Sequence, residues 1–213
     1  RIVGISDGLQ VTEDKLSANH HFANVLFNVM RGGLFVDNYA VPKADLIDFV
    51  KGFNRVKYNQ FKDFFEGLDD TFHYSDLIKA ASKQNDASIQ RICFEYLPLS
   101  FSRRHGDPSR PWNKFNIKVK QEDGSQLLNF EGNWRDIFQN WEALSYSIPN
   151  YIESMICKFV NASTADGYNP YRITKAGIDW EKPDPSDPWA NIGYWGDHQI
   201  IYLLKFLEFS NDH

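Results

Sequence analysis

The sequence predicts a mainly α-helical chain, an α/α toroid or a portion of one, with a single β-hairpin near residues 115–130. Three observations predict it. Apolar residues recur at helical spacing through most of the chain, one short stretch alternates instead, and long polar connections separate them. With 213 residues, 42% of them hydrophobic, the chain has material for one substantial core, and we take 1–213 as a single helical domain.

From Ala18 to Met30, the residues Phe22, Val25, Leu26, Val29 and Met30 recur at helical spacing, and the stretch stops at Gly32-Gly33. Pro42 opens a second helical region, in which Leu46, Phe49, Val50 and Phe53 form one stripe and Phe61, Phe64, Phe65 and Leu68 continue it after a bend. Ser75 is a candidate cap for a short helix around Leu77–Ala81, and Ile89, Ile92, Cys93 and Tyr96 mark another that ends before Pro98. Residues 101–113, with two Pro, one Gly and three Arg, read as a loop. Phe115, Ile117 and Val119 alternate with polar residues, Asp123-Gly124 supplies a turn, and Leu127–Phe130 returns as the partner strand. Helical spacing resumes at Ile137, Trp141 and Leu144, and again at Ile152, Ile156, Phe159 and Val160 after Pro149. The stretch from Thr164 to Gly196 shows no convincing element, and Gln199–Phe209 closes the sequence as an apolar helix. A segment of that length without regular structure is usually functional.

A net charge of −5, from 23 basic and 28 acidic residues, offers no broad positive field for a phosphate backbone, so nucleic acid is a poor partner. No apolar run approaches the roughly 20 residues of a membrane span, and no signal segment opens the chain, so we expect a cytoplasmic protein that does not engage a membrane. Cys93 and Cys157 read as buried reduced thiols, and no metal-ligand spacing is present. Because the chain starts at Arg1, we expect it to be a piece of something longer, completed by its missing remainder or by a homo-oligomeric partner.

All six Trp residues follow residue 110, mostly in or beside clusters that mix aromatic rings with Arg and carboxylate: Phe101–Asn113, Gly132–Leu144, Thr164–Thr174 and Gly193–Gln199. The motif-bearing half is therefore 101–207. Sugars call for this mixture, since their CH faces lie on rings while their hydroxyls need fixed polar partners. Each cluster has a plainer reading. Arg135 and Asp136 suit a helix start, where a carboxylate complements the dipole, and Trp134 and Trp141 suit a core. Arg103, Arg104 and His105 are the best visible anion or phosphate site, set against a salt-bridged structural loop tied to Asp107. Asp197, beside Trp195 at the entry to an apolar helix, is placed to have its pKa raised by a desolvating wall and is our candidate general acid.

In order, Arg135, Asp136 and Gln139, then Pro149, then Tyr171 and Thr174, then Trp195 and Asp197, the segment Gly132–Leu207 resembles the catalytic domain of inverting disaccharide phosphorylases of the cellobiose and chitobiose phosphorylase type. The resemblance implies an (α/α)6-barrel, a sugar bound by Arg135, Asp136, Gln139, Tyr171, Arg172 and Trp195, Asp197 as general acid, and inorganic phosphate as co-substrate without any cofactor. Asn140 stands where that family has a second Asp, and Gly196-Asp197-His198 carries one carboxylate where the family has two. Three readings follow: phosphorolysis with inversion on a disaccharide or oligosaccharide; inverting hydrolysis using water and a second carboxylate among Asp136, Glu142, Asp166, Asp179 and Glu181; or a non-catalytic carbohydrate-binding or regulatory domain.

Overall fold

The computed structural model describes residues 33–37, 39–101, 118–181, 184–187, 192–196 and 199–212, with isolated helical positions at 15–16, 19, 22–23 and 26–27. Two short antiparallel pairings and a helix layer make up the first half. Strand β1 (Leu34–Phe35) pairs with β4 (Leu99–Ser100), and β2 (Ala40–Pro42) pairs with β3 (Thr71–His73). Helices α1 (Lys43–Phe53), α2 (Arg55–Gln60) and α3 (Lys62–Glu66) follow Pro42 as expected, and the anticipated bend is the cap at Asn54, whose side chain accepts from the Lys57 amide. Leu46, Phe49, Val50 and Phe65 are buried.

Helix α4 (Tyr74–Ser82) starts earlier than the Ser75 cap implies. His73 caps it, its Nδ1 accepting from the Ser75 amide at 3.2 Å, so Ser75 lies inside the first turn. Asp86 caps α5 (Ala87–Glu95) by accepting from the amides of Ser88 and Ile89, and Ile89, Ile92 and Cys93 face the core.

The expected hairpin is visible at its tip. Asp123 Oδ1 accepts from the Ser125 amide, Gly124 adopts φ +82°, and the Leu127 amide donates to Val119 O, while Phe115 and Ile117 lie outside the described residues. The predicted structureless region from Thr164 needs correction. It holds strands β6 (Arg172–Thr174) and β7 (Gly177–Asp179), which join β5 (Glu131–Asn133) in an antiparallel sheet of order β5-β6-β7. Three-residue strands carry too little alternation to register as a period.

Helices α6 (Trp134–Ser145), α7 (Ile152–Ala162) and α8 (Gln199–Asp212) pack together, with α7 also on α5. The apolar phase of α7 is turned from the expected one: Ile152, Met155 and Phe159 are buried along with Lys158, whereas Val160 is exposed. Cys93 is buried and Cys157 half-buried, both as free thiols.

The core is a run of aromatic rings. Tyr151, in the turn before α7, stacks on Phe35 at 4.1 Å between centroids and lies against Tyr39 and Tyr74. Trp134 and Trp141 are the core residues their plainer reading makes them: both are fully buried, packed with Phe138, Phe159 and Phe130. Phe206 joins α8 to this group. Among the described residues the Tyr151 hydroxyl, also fully buried, has no hydrogen-bond partner, so it contributes a desolvation cost without a compensating bond. Tyr151→Phe should therefore hold or raise stability by up to about 1 kcal/mol, whereas Trp141→Ala should lower it by about 3–5 kcal/mol, both read from urea denaturation midpoints.

Candidate functional site

The start of α6 anchors the candidate site. Asn133 is its N-cap, its Oδ1 accepting from the Arg135 amide at 2.9 Å. The same side chain donates from Nδ2 to Tyr194 Oη at 2.7 Å. Trp134 donates its amide to Tyr171 O, and Tyr194 exchanges backbone bonds with Asn169. Three segments far apart in sequence, bearing Arg135 and Asp136, Tyr171 and Arg172, and Tyr194 and Trp195, are thus drawn to one end of the helix. Arg135, Gln139 and Tyr171 are partly buried, and Asp136 is buried in the first turn. Burial pushes the Tyr171 hydroxyl above its ordinary pKa.

Arg172 faces its own sheet. Its guanidinium donates to Asp179 through Nε and Nη2, and through Nη1 to Glu131 Oε1 at 2.6 Å, a fork that locks β5, β6 and β7 together. Asp197, the expected acid, and Arg103, Arg104 and His105, the expected anion site, lie outside the described residues, as do Trp112 and Trp189. At the entry to α8, Gln199 Nε2 donates to Trp195 O at 2.9 Å.

Trp195 belongs to an open aromatic face. It is 61% exposed, its ring 4.9 Å from that of Tyr168, which in turn stacks with Trp180 at 6.1 Å and 17°. Tyr168 donates its hydroxyl to Glu181 Oε2 at 2.8 Å. Gly193 makes this face possible, because a Cβ there would lie 2.7 Å from Tyr168 Oη and 2.6 Å from Asn169 O. Exposed indoles beside a phenol and a carboxylate offer flat apolar surface with polar groups at its rim. Of these three rings, sequence reasoning named only Trp195 as binding; Trp180 lies 15 positions away, and the pairing of Asn169 with Tyr194 helps bring the two to one place.

A second polar cluster was missed altogether. Lys158, on the inner side of α7, is 6% exposed, and its ammonium lies 5.3 Å from the Phe49 ring centroid and 5.5 Å from that of Phe130. Burial pulls its pKa from 10.5 down to about 8, with the Glu95 charge opposing that fall. Burial likewise pushes the Glu95 carboxyl up, against the pull of Lys158, Arg91 and Asn161. Its Oε1 accepts from Asn161 Nδ2 at 2.8 Å and lies 3.5 Å from Arg91 Nε. A lysine inside an apolar helical pattern carries no sequence signal for this role.

Residues 35–98 match the family model of glycoside hydrolase family 149 insertion domain 1. The chain matches no curated protein sequence. The match relates the chain to carbohydrate-active enzymes. It falls in the half for which the sequence showed no resemblance, and it stops before Arg135.

Two outcomes test these electrostatics. The unfolded chain binds Lys158's proton up to about pH 10.5 and the folded one only to about 8, so the folded state gains stability as pH rises through that window. Lys158→Met should consequently be more stable than the native protein at pH 7, by about 1–3 kcal/mol, with the gain shrinking toward pH 10.5 in thermal melts. Arg172→Lys, which keeps the charge but loses the fork, should cost about 1–2 kcal/mol in urea titrations.

Proposed function

We propose that the chain is a carbohydrate-binding part of a carbohydrate-active enzyme, and that Tyr168, Trp180 and Trp195 stack on successive sugar rings of an oligosaccharide while Glu181 accepts from a hydroxyl at the rim. The observation that carries this reading is the open aromatic face itself, since contiguous exposed rings beside a fixed carboxylate mark binding surfaces. The match to an insertion domain of a glycoside hydrolase family supports it from independent residues.

A catalytic reading of the same face is favoured by the position of Asp197, two residues after Trp195 in the sequence. In this reading Asp197 protonates the leaving oxygen of a glycosidic bond, with inversion, and phosphate or a water activated by a second carboxylate attacks the anomeric carbon. Arg135, Asp136, Gln139 and Tyr171 would hold the sugar, and Arg103, Arg104 and His105 would hold the phosphate. Helices α4 to α8 are then one arc of an α/α toroid. Binding alone needs none of these steps.

Calorimetry with a panel of gluco-oligosaccharides tests the binding reading. Trp180→Ala and Trp195→Ala should each weaken binding about tenfold while leaving the unfolding midpoint almost unchanged, because neither ring is in the core. Undiminished affinity in both variants would remove the aromatic face from consideration. For the catalytic reading, turnover of glucose disaccharides with and without phosphate is compared in the native protein and in Asp197→Asn; full activity in the variant excludes Asp197 as the acid.

A further inference from the structure

Between α1, α5, α7 and the β6–β7 hairpin lies a cavity of about 190 Å³. Phe53 and Ile178 supply apolar wall, and Glu95 and Lys158 line its polar side, with Asn161 and Arg91 beside them. Strand alternation sets it on the face of the hairpin opposite the Arg172–Asp179 pair, since Ile173 also lines it. The cavity is therefore separate from the aromatic face.

Two groups in it are unfulfilled. The Lys158 ammonium makes no hydrogen bond or ion pair among the described residues; it has only the rings of Phe49 and Phe130 and the more distant charge of Glu95. The residue is 6% exposed, and its ammonium opens onto the cavity, where a ligand hydroxyl would supply the acceptor it lacks. Glu95 uses Oε1 for Asn161 and Arg91, and Oε2 has no partner among the described residues. One cavity thus presents an unused donor and an unused acceptor.

That pairing selects a ligand class. An anion would satisfy Lys158 but meet the Glu95 carboxylate, and a cation would meet the reverse. A hydroxyl group resolves both, since it accepts from the ammonium and donates to the carboxylate, and adjacent hydroxyls on one ring reach both groups. Space limits the ligand as well. The volume is below that of pockets for drug-sized molecules, which suits a single sugar ring with its CH face on Phe53 and Ile178 and not a longer chain.

We infer that this cavity binds one neutral monosaccharide ring through adjacent hydroxyls on Lys158 and Glu95, as a site distinct from the aromatic face and independent of whether that face binds oligosaccharide. Cyanate labelling of the full chain reads it directly, because cyanate carbamylates unprotonated amines and the extent at Lys158 is measured by peptide mass spectrometry. At about pH 8, methyl β-glucoside at about 100 mM should slow labelling of Lys158 at least about threefold, while leaving exposed lysines such as Lys62 unaffected. Sodium acetate at the same concentration should leave Lys158 unchanged. Ala162→Leu, which fills the cavity from α7, should abolish the protection while oligosaccharide binding at the aromatic face, followed by calorimetry, persists. The inference is overturned if the glucoside gives no protection in the native chain, if acetate protects as well as the glucoside, or if Ala162→Leu leaves protection intact. The labelling arms use the native chain, so they decide the matter even if the variant does not fold; loss of oligosaccharide binding at the aromatic face in the native chain bears only on the function proposed above.

Discussion

The packing of Tyr151 is the contact on which the rest of the arrangement depends. Its ring lies flat on Phe35 and against Tyr39 and Tyr74, so one side chain from the turn before α7 holds β1, the approach to β2 and the start of α4. Those elements come from the first 75 residues, whereas α7 comes from the second half. Aromatic burial of this kind supplies large apolar area with defined geometry, which is why it can join distant parts of a chain that has only short strands. From that joint, Phe159 on α7 meets Trp134 and Phe138 on α6, and Phe206 brings in α8.

Once α6 is held in this way, its first turn becomes a fixed post. Asn133 caps the helix with one atom of its side chain and reaches Tyr194 with the other, and the β5-β6-β7 sheet is attached to the same spot through Tyr171 and Arg172. Irregular segments tied down at a rigid post are where binding groups gather, because the scaffold bears the ordering cost of the loop. The open rings of Tyr168, Trp180 and Trp195 are displayed on such segments, and Gly193 lets two of them approach closely enough to share a face. The proposed sugar cavity arises on the other face of the β6–β7 hairpin, where Ile173 and Ile178 point inward as Arg172 and Asp179 point away.

The helices were legible because their physics is local. Leu46, Phe49 and Val50 after Pro42, Ile89 and Ile92 before Pro98, and Ile137, Trp141 and Leu144 all sit where periodicity puts them. What local physics could not supply is equally specific. His73 displaces Ser75 as a cap because its ring reaches forward to accept from the Ser75 amide. Val160 turns outward although apolar, and Lys158 turns inward although charged, because the phase of α7 is set by Tyr151, Met155 and Phe159 meeting the rest of the core. Strand β6 is held by β5, some 40 residues earlier, and β7 in turn pairs with β6. Of the candidate site, Trp195 and the helix-start pair Arg135 and Asp136 were readable from their neighbours, whereas Tyr168 lay in a cluster that did not single it out and Trp180 lay outside every cluster.

By itself, then, the sequence determined a helical chain with an α6 marked by its apolar spacing, a closing α8 and a second half rich in Trp, Arg and carboxylate, because hydrophobic period and composition act over a few positions. Tertiary structure decided between the two readings that each ring's neighbours left open. Trp134 and Trp141 are sealed between helices while Trp195 stands in water, because helix packing covers the first two and leaves the segment of the third uncovered. It also decided that Lys158 and Glu95, unremarkable on separate helices, would face one cavity with a donor and an acceptor to spare, since α5 and α7 are distant in sequence and meet only through tertiary packing.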